Sequence, residues 1–335
     1  MALSTIQVWE YEKRQEMSLV AHDLTKPERD ILQALAIYSM LTAEQITRML
    51  YSPASHAYAQ RHLRSLVKKG YLEQILPPKQ TRFGSTPFVY IMTSLSRNYL
   101  ASIGETLPPR FRPSDERRRR GGPLLHSIAV NEVLLNAHLL AKEKEDTELL
   151  EFVTEREFNR DPLRVHVPKD DKTVSLSPDL WLHFRQDKVH FCICVEVNLT
   201  PVEQKRWRQK VRSYYYALPA YKARFGTEAI VVAVLVASSM DFPKRRTGAA
   251  QSVEEIRLIK EEEKRRVKRL TDLLHWTELE LKSLNATHEA DLFQIATITT
   301  EHLTPTGLFL TPVFWIPTDS SQVSLIPGFE EAESG

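Results

Sequence analysis

The chain has 335 residues, 42% of them hydrophobic and 26% charged, a composition typical of a globular protein with room for two domains. Its formal net charge of +2 excludes a uniformly polybasic nucleic-acid binder, so charge has to be judged locally. The N-terminus lacks a signal-peptide pattern, and no apolar run approaches the ~18 residues that span a membrane. Cys192 and Cys194 lie two residues apart on one apolar run, where an extended backbone does not favour a disulfide between them. These features predict a cytoplasmic protein with reduced thiols and no membrane partner.

The first part of the chain has the pattern of helices followed by a two-stranded wing. A helix is predicted from Lys26, next to a proline suited to a first turn, and a second short helix follows a Thr42 cap. The third helix is predicted over 55–69, and strands are predicted over 71–75 and 88–92. This order predicts a winged helix-turn-helix, a shape that fits the DNA major groove.

Basic residues are concentrated on this predicted element. Between Thr42 and Arg82 there are seven Lys or Arg residues and two acids. The excess favours double-stranded DNA as the partner over the other known use of such folds, protein interaction. The residues predicted to contact DNA are Arg61, Arg64, Lys68, Lys69 and Arg82.

Residues 107–123 predict a domain boundary because they contain four prolines, two glycines and a run of four arginines at 117–120. The arginines either contact phosphates or belong to a solvated hinge, and the pattern leaves both interpretations open. The boundary separates a DNA-binding domain at 25–106 from a second domain at 124–320.

The second domain alternates helices and strands, which predicts an α/β fold in layers. The apolar run 230–237 predicts a central buried strand, and the segments 292–298 and 308–316 predict edge strands. The remaining predicted elements are helices over about 124–144, 201–218 and 252–281, and strands over 149–153, 179–185 and 189–199.

Two carboxylates of this domain are expected to meet. Asp179 starts one predicted strand, and Glu196 lies on the next strand, on the same face as the two cysteines. An antiparallel pairing with a turn near 185–188 would bring the two acids together. Two close carboxylates are what Mg²⁺ or Mn²⁺ requires from a protein, and Glu155 is a candidate third acid.

The motifs Ser177-Pro178-Asp179 and Glu196-x-Asn198, followed by a helix rich in Lys and Tyr, resemble the PD-(D/E)xK nuclease core. The resemblance implies that Asp179 and Glu196 hold the metal and that a lysine two residues after the glutamate acts on the attacking water. Asn198 stands in the lysine's place. Lys210, four residues before Tyr214 on one helix face, is the candidate migrated lysine, with Lys205 as the second candidate. The predicted catalytic residues are therefore Asp179, Glu196 and Lys210.

The whole arrangement resembles the replication-relaxation family of plasmids and integrated mobile elements. The resemblance covers roughly residues 25–240 and includes Leu125–Glu132, the two acid motifs and Trp207-x-x-Lys210-x-x-x-Tyr214. It implies an α/β protein with an N-terminal winged helix-turn-helix and a C-terminal PD-(D/E)xK-like, restriction-endonuclease-type α/β/α core.

The function that this resemblance implies is DNA binding in plasmid or mobile-element replication or DNA relaxation, with replication or relaxation proteins of the same element as partners. An active, metal-dependent nicking endonuclease and a degenerate, binding-only nuclease fold both remain open. The alternative is a winged-helix transcriptional regulator with a non-catalytic C-terminal domain. His126 is interpreted as a core or capping residue, and Trp207 and Tyr214 as part of a core stripe.

Overall fold

The computed structural model describes residues 24–77, 86–107, 112–227, 229–241, 253–319 and 321–326. These residues form two compact units, of which the first ends at Leu124 and the second begins at Leu125. The predicted DNA contact Arg82 lies outside the described residues.

The first unit combines helices with a small antiparallel sheet. The strand order is β1-β3-β2, with β1 as a strand that the sequence pattern did not predict. The elements are α1 (Lys26–Tyr38), β1 (Met40–Thr42), α2 (Ala43–Leu50), α3 (His56–Lys68), β2 (Leu72–Ile75), β3 (Val89–Met92), α4 (Ser94–Ser102) and α5 (Pro113–Arg118).

Local sequence signals fix the helix ends of this unit. Thr25 and Glu28 form a capping box at the start of α1, and Thr42 forms another at the start of α2. Gly70, with φ at +79°, follows α3 in a conformation that residues with a Cβ rarely adopt. The predicted cap at Thr42 and the predicted start of the first helix at Lys26 are therefore confirmed.

A buried carboxylate ties the end of α3 to α1. The Glu28 carboxylate is 2% exposed and accepts hydrogen bonds from Lys69 Nζ at 3.0 Å and Ser65 Oγ at 2.7 Å. Burial acts to raise the pKa of Glu28, but the hydrogen bonds from Ser65, Thr25 and Lys69 outweigh it and lower the pKa to about 2. Glu28 is therefore held ionised, and Lys69 has a structural partner inside the unit.

The second unit is built around a seven-stranded sheet in the order β12-β11-β10-β9-β8-β7-β4. Its helices are α6 (Gly121–Glu143), which begins just before the unit boundary, α7 (Glu155–Phe158), α8 (Gln204–Phe225), α9 (Val253–Ser283) and α10 (Pro305–Phe309). Its strands are β4 (Thr147–Thr154), β5 (Leu163–Val167), β6 (Lys172–Leu176), β7 (Leu180–Gln186), β8 (Val189–Asn198), β9 (Ile230–Val236), β10 (Phe293–Thr297), β11 (Phe314–Trp315) and β12 (Gln322–Val323).

The centre of the sheet is parallel, and the strands on both sides of it are antiparallel, including β11, which pairs antiparallel with β10 and β12. Strands β8, β9 and β10 run parallel, with α8 and α9 as the connecting helices, while β7 pairs antiparallel with both β8 and β4. Strands β5 and β6 form a separate two-stranded sheet. The predicted mixed α/β fold with a central strand at 230–237 is confirmed in this coarse sense.

Strand β8 is buried on both of its faces. Ile193 and Val195 are buried on one face, and Cys192 and Cys194 are buried on the other, in the cluster that includes Trp207 and other residues of α8. Parallel strands connected by helices are covered on both sides. Both cysteines are free thiols in the structure.

Three predicted segments differ from the structure. Residues 292–298 were predicted as an edge strand, but β10 lies inside the sheet, between β9 and β11. Residues 308–316 were predicted as an edge strand, but Thr304 caps the short helix α10, and only Phe314–Trp315 is extended. The predicted linker contains the helix α5 and the start of α6. Within it, Arg117 forms an ion pair with Glu73, so this arginine has a carboxylate partner in its own unit.

Helix α6 is long and apolar enough to cross a membrane by length and composition, which the absence of a long uninterrupted apolar run in the sequence did not predict. Of its most apolar window, 61% is buried inside the protein. Burial of this extent is typical of a core helix in a folded protein.

Candidate functional site

The β7–β8 hairpin places Asp179 and Glu196 side by side, as the sequence predicted. Leu180 pairs with Val195, so Asp179 stands directly before the strand at the level of Glu196. The Asp179 N–H donates to the Val195 carbonyl oxygen at 3.1 Å, and the Val197 N–H donates to Asp179 Oδ2 at 2.8 Å. Asp179 is thus fixed to β8 on both sides of Glu196.

Glu196 is a buried carboxylate whose two oxygens are both occupied. Its side chain is about 5% exposed, Lys210 Nζ donates to Oε2, and the Tyr214 hydroxyl donates to Oε1. Burial raises the pKa of Glu196 to about 7; the ammonium of Lys210 opposes this shift, and the charge of Asp179 adds to it. Glu196 therefore gains or loses its proton near neutral pH.

Helix α8 delivers Lys210 and Tyr214 from one face. The two residues are four positions apart, so their side chains lie one turn from each other. Burial acts to lower the pKa of Lys210, but the carboxylates of Glu196 and Asp179 outweigh it and raise the pKa above its usual value. Lys210 is accordingly a permanent cation at this site and not a base.

His126 joins the cluster from the start of α6, a contact that the sequence pattern did not predict. Its Nε2 lies 3.1 Å from Asp179 Oδ2. Burial acts to lower the pKa of His126, but Asp179 raises it above the ordinary value. Burial likewise acts to raise the pKa of Asp179, and His126 and Lys210 keep it below the usual range. The signal that could have identified His126 was its place in the motif Leu125–Glu132.

Two other acidic or amide candidates have defined places near the cluster. The Glu155 N–H donates to the Asp179 carbonyl oxygen at 3.2 Å, and the charge of Glu155 contributes to the raised pKa of His126. Asn198, in the position of the motif lysine, accepts weakly from Arg269 Nη1 at 3.4 Å. Arg269 Nη2 also donates to the Ala237 carbonyl oxygen at 2.8 Å, so Asn198 belongs to the connection between the end of β8 and α9.

A second buried carboxylate holds the opposite side of α8. Glu280 of α9 is completely buried and accepts from Arg208 Nε at 2.7 Å and Arg212 Nε at 2.8 Å. Trp207 Nε1 donates to Thr277 Oγ1 at 2.9 Å. These contacts fix the rotation of α8 and with it the direction of Lys210. Trp207 and Tyr214 are buried, which confirms their interpretation as core residues.

The predicted DNA-contacting residues of α3 differ in their surroundings. Arg61, Arg64 and Lys68 are exposed, and Arg61 lies over the ring of Tyr58 at 5.2 Å. Arg64 Nη2 donates to Gln60 Oε1 at 3.2 Å on the same helix. Lys69 differs from these three because it is held by Glu28.

The adjacent carboxylates fit a divalent cation by donor type and number. Mg²⁺ commonly takes one or two carboxylates from a protein and completes its shell with water. Asp179 and Glu196 supply that number, although His126 contacts Asp179 Oδ2 and Lys210 donates to Glu196 Oε2 in this arrangement. Over the described ranges, no group of three His, Cys, Asp or Glu side chains is placed to hold a metal ion.

Comparison with known proteins gives one family match and one structural similarity. A family model described as "Replication-relaxation" matches residues 32–228. No curated protein matches. A solved structure titled as restriction endonuclease FokI is 11% identical, with a TM-score of 0.23; the similarity covers 85% of this chain and 44% of that chain. The present chain therefore spans less than half of that protein, and a similarity of this strength carries no argument.

The raised pKa of Glu196 gives a pH-dependent stability test. Between the ordinary pKa of 4.5 and about 7, the folded state binds a proton more tightly than the unfolded state, so the free energy of unfolding falls as pH rises through this window. Glu196→Gln removes the ionisable group and with it this fall in the free energy of unfolding. We therefore expect the difference in unfolding free energy, variant minus wild type, to increase by roughly 2 kcal/mol from pH 5 to pH 8. Urea unfolding in the presence of EDTA measures this difference.

The matched control is Glu148→Gln, because Glu148 is an exposed carboxylate paired with Arg185 on the same sheet. Its difference from wild type should be the same at both pH values to within about 0.5 kcal/mol. A Glu196→Gln difference that does not change with pH would contradict the assigned pKa shift.

Proposed function

The chain belongs to the replication-relaxation family, whose model matches more than half of its residues, and on that premise we propose that it binds double-stranded DNA and nicks it at the Asp179–Glu196–Lys210 site. We place this activity in plasmid or mobile-element replication or DNA relaxation. The resemblance to this family that the sequence indicated is confirmed by the match.

One observation carries the proposed chemistry. The ammonium group of Lys210 is bonded to the Glu196 carboxylate, and Asp179 stands beside it, so two acids and a lysine meet although Asn198 occupies the usual lysine position. Nuclease cores of the PD-(D/E)xK type use this combination of groups. The meeting of the three residues supports a PD-(D/E)xK-like core within residues 124–320, with the lysine supplied by α8.

Each residue of the cluster has a role that follows from its contacts. Asp179 and Glu196 would hold Mg²⁺ or Mn²⁺, which would supply Lewis-acid polarisation of the phosphoryl group. Lys210 remains charged and stabilises negative charge that develops on the phosphate. Tyr214 orients Glu196 through its hydroxyl, and His126 orients Asp179.

The first unit is proposed to be a winged helix-turn-helix that contacts DNA through α3. Support comes from the order of α1, α2 and α3 with the β2–β3 pair, and from the exposed cations Arg61, Arg64 and Lys68 on α3. Lys69 is a weaker candidate because Glu28 holds its ammonium group. A cytoplasmic location, and replication or relaxation proteins of the same element as partners, complete the proposal.

Nicking of supercoiled plasmid tests the enzymatic part of this proposal. We expect wild-type protein with Mg²⁺ or Mn²⁺ to convert supercoiled to nicked circles, and Asp179→Asn to lower the rate at least about 100-fold, because it removes the charge but keeps the shape of the side chain. Product gels measure both forms. Asp272→Asn on the surface of α9 is the control and should nick at the wild-type rate.

Two results would contradict the nicking site. Equal rates for wild type and Asp179→Asn would place the activity elsewhere. Failure of the wild type to nick with either metal, combined with a retained gel shift, would mean that the nuclease-like unit serves recognition or assembly instead.

A binding measurement tests the role of α3. We expect Arg64→Ala to weaken binding to duplex DNA by about 1–2 kcal/mol and to reduce its salt dependence by about one counterion, because a phosphate contact is lost. Arg97→Ala removes an exposed cation from α4 and is the matched control. Unchanged affinity and salt slope for Arg64→Ala would exclude α3 as the DNA-contacting helix.

A further inference from the structure

The first three turns of α8 carry five cations, and three of these are neutralised by buried acids. Lys210 binds Glu196, while Arg208 and Arg212 bind Glu280. The five cations are Lys205, Arg206, Arg208, Lys210 and Arg212. The other two, Lys205 and Arg206, do not pair with either of these buried acids.

Lys205 and Arg206 are exposed, and neither has a carboxylate partner within the part of the chain that the structure describes. Exposed cations without partners are common, so their exposure alone is not informative. Their directions differ, however. At about 100° per residue, Arg206 lies about 40° from Lys210 around the helix, whereas Lys205 lies about 140° from it.

Arg206, Lys210 and Tyr214 thus form a stripe along one face of α8, one turn apart from each other. The two inner members both bond to Glu196. Arg206 is the outer member, and it is close enough to Lys210 for its charge to act against protonation of that lysine. Like charges at this spacing destabilise a helix, and because Glu196 pairs with Lys210 alone, an anion that pairs with Arg206 stabilises the helix further.

We infer that Arg206 binds the DNA backbone phosphate that neighbours the one held at Asp179, Glu196 and Lys210. This inference rests on the proposed function and extends the nicking site by one phosphate along the strand. A guanidinium group presents two parallel donors that match two phosphate oxygens, a geometry that suits a fixed backbone contact. A phosphate contact positions the strand without reading its sequence.

The test uses the full-length chain carrying Asp179→Asn, Arg61→Ala and Arg64→Ala, so that cleavage is removed and binding through α3 does not mask the contact. Dissociation constants for two duplexes of unrelated sequence are measured by fluorescence anisotropy over a series of salt concentrations. Adding Arg206→Ala should weaken binding about fivefold on both duplexes and reduce the salt slope by about one.

Lys205→Ala is the matched control because it removes the same charge from the same turn of α8 on a different face. It should change the dissociation constant by less than about twofold. Arg206→Lys keeps the charge but loses the paired donors, and it should fall between the parent and Arg206→Ala. Because Arg206→Lys keeps a long cationic side chain, its intermediate affinity would also show that the weaker binding of Arg206→Ala does not result from misfolding.

Two results would overturn the inference while leaving the proposed function intact. One is an unchanged affinity and slope for Arg206→Ala in a parent that binds DNA. The other is an equal loss for Arg206→Ala and Lys205→Ala, which would indicate a diffuse charge effect. Absence of DNA binding even by the unsubstituted wild-type chain would instead refute the proposed function, and the inference with it.

Discussion

The burial of the Glu196 carboxylate beneath α8 is the constraint on which the second unit depends. A buried carboxylate without partners costs several kcal/mol, so the helix above it has to supply donors. Lys210 and Tyr214 supply them from consecutive turns. Because Glu280 pairs with Arg208 and Arg212 on the other side of α8, the helix is held between two buried acids. Rotation of the helix would leave one of these carboxylates buried without its partners. Lys210 and Tyr214 therefore both stabilise the buried Glu196 carboxylate and form part of the proposed nicking site.

Much of this site could be predicted from local sequence. The spacing of Asp179 and Glu196 along the chain predicted a hairpin, and the helical spacing of Lys210 and Tyr214 predicted a shared face; both are present in the structure. Such short-range geometry follows from periods of two in strands and 3.6 in helices. The substitution of Asn198 for a lysine is therefore compatible with the cluster, because α8 brings a lysine to the same carboxylate.

Contacts between distant parts of the chain were not predictable in this way. His126 meets Asp179 across 53 positions, and Lys69 meets Glu28 across 41, so no local period encodes either pair. The error at residues 308–316 has a different origin, since a short apolar run fits a strand and a helix equally well and Thr304 decides in favour of the helix. The unpredicted pairs depend on tertiary contacts, and the wrong strand prediction depends on a helix cap; neither can be read from composition.

The most direct measurement of the central claim is chemical reconstruction of the lysine on α8. Lys210→Cys should lose nicking activity, and alkylation with 2-bromoethylamine, which rebuilds a side chain with a terminal amine, should restore it. Alkylation with iodoacetamide adds a neutral group and should not restore activity. The native Cys192 and Cys194 are fully buried, and wild-type protein treated in parallel controls for their reaction. Nicking at the wild-type rate by the unalkylated Lys210→Cys variant would contradict the assignment of Lys210 to the site. Equal restoration of activity by both reagents would also contradict it.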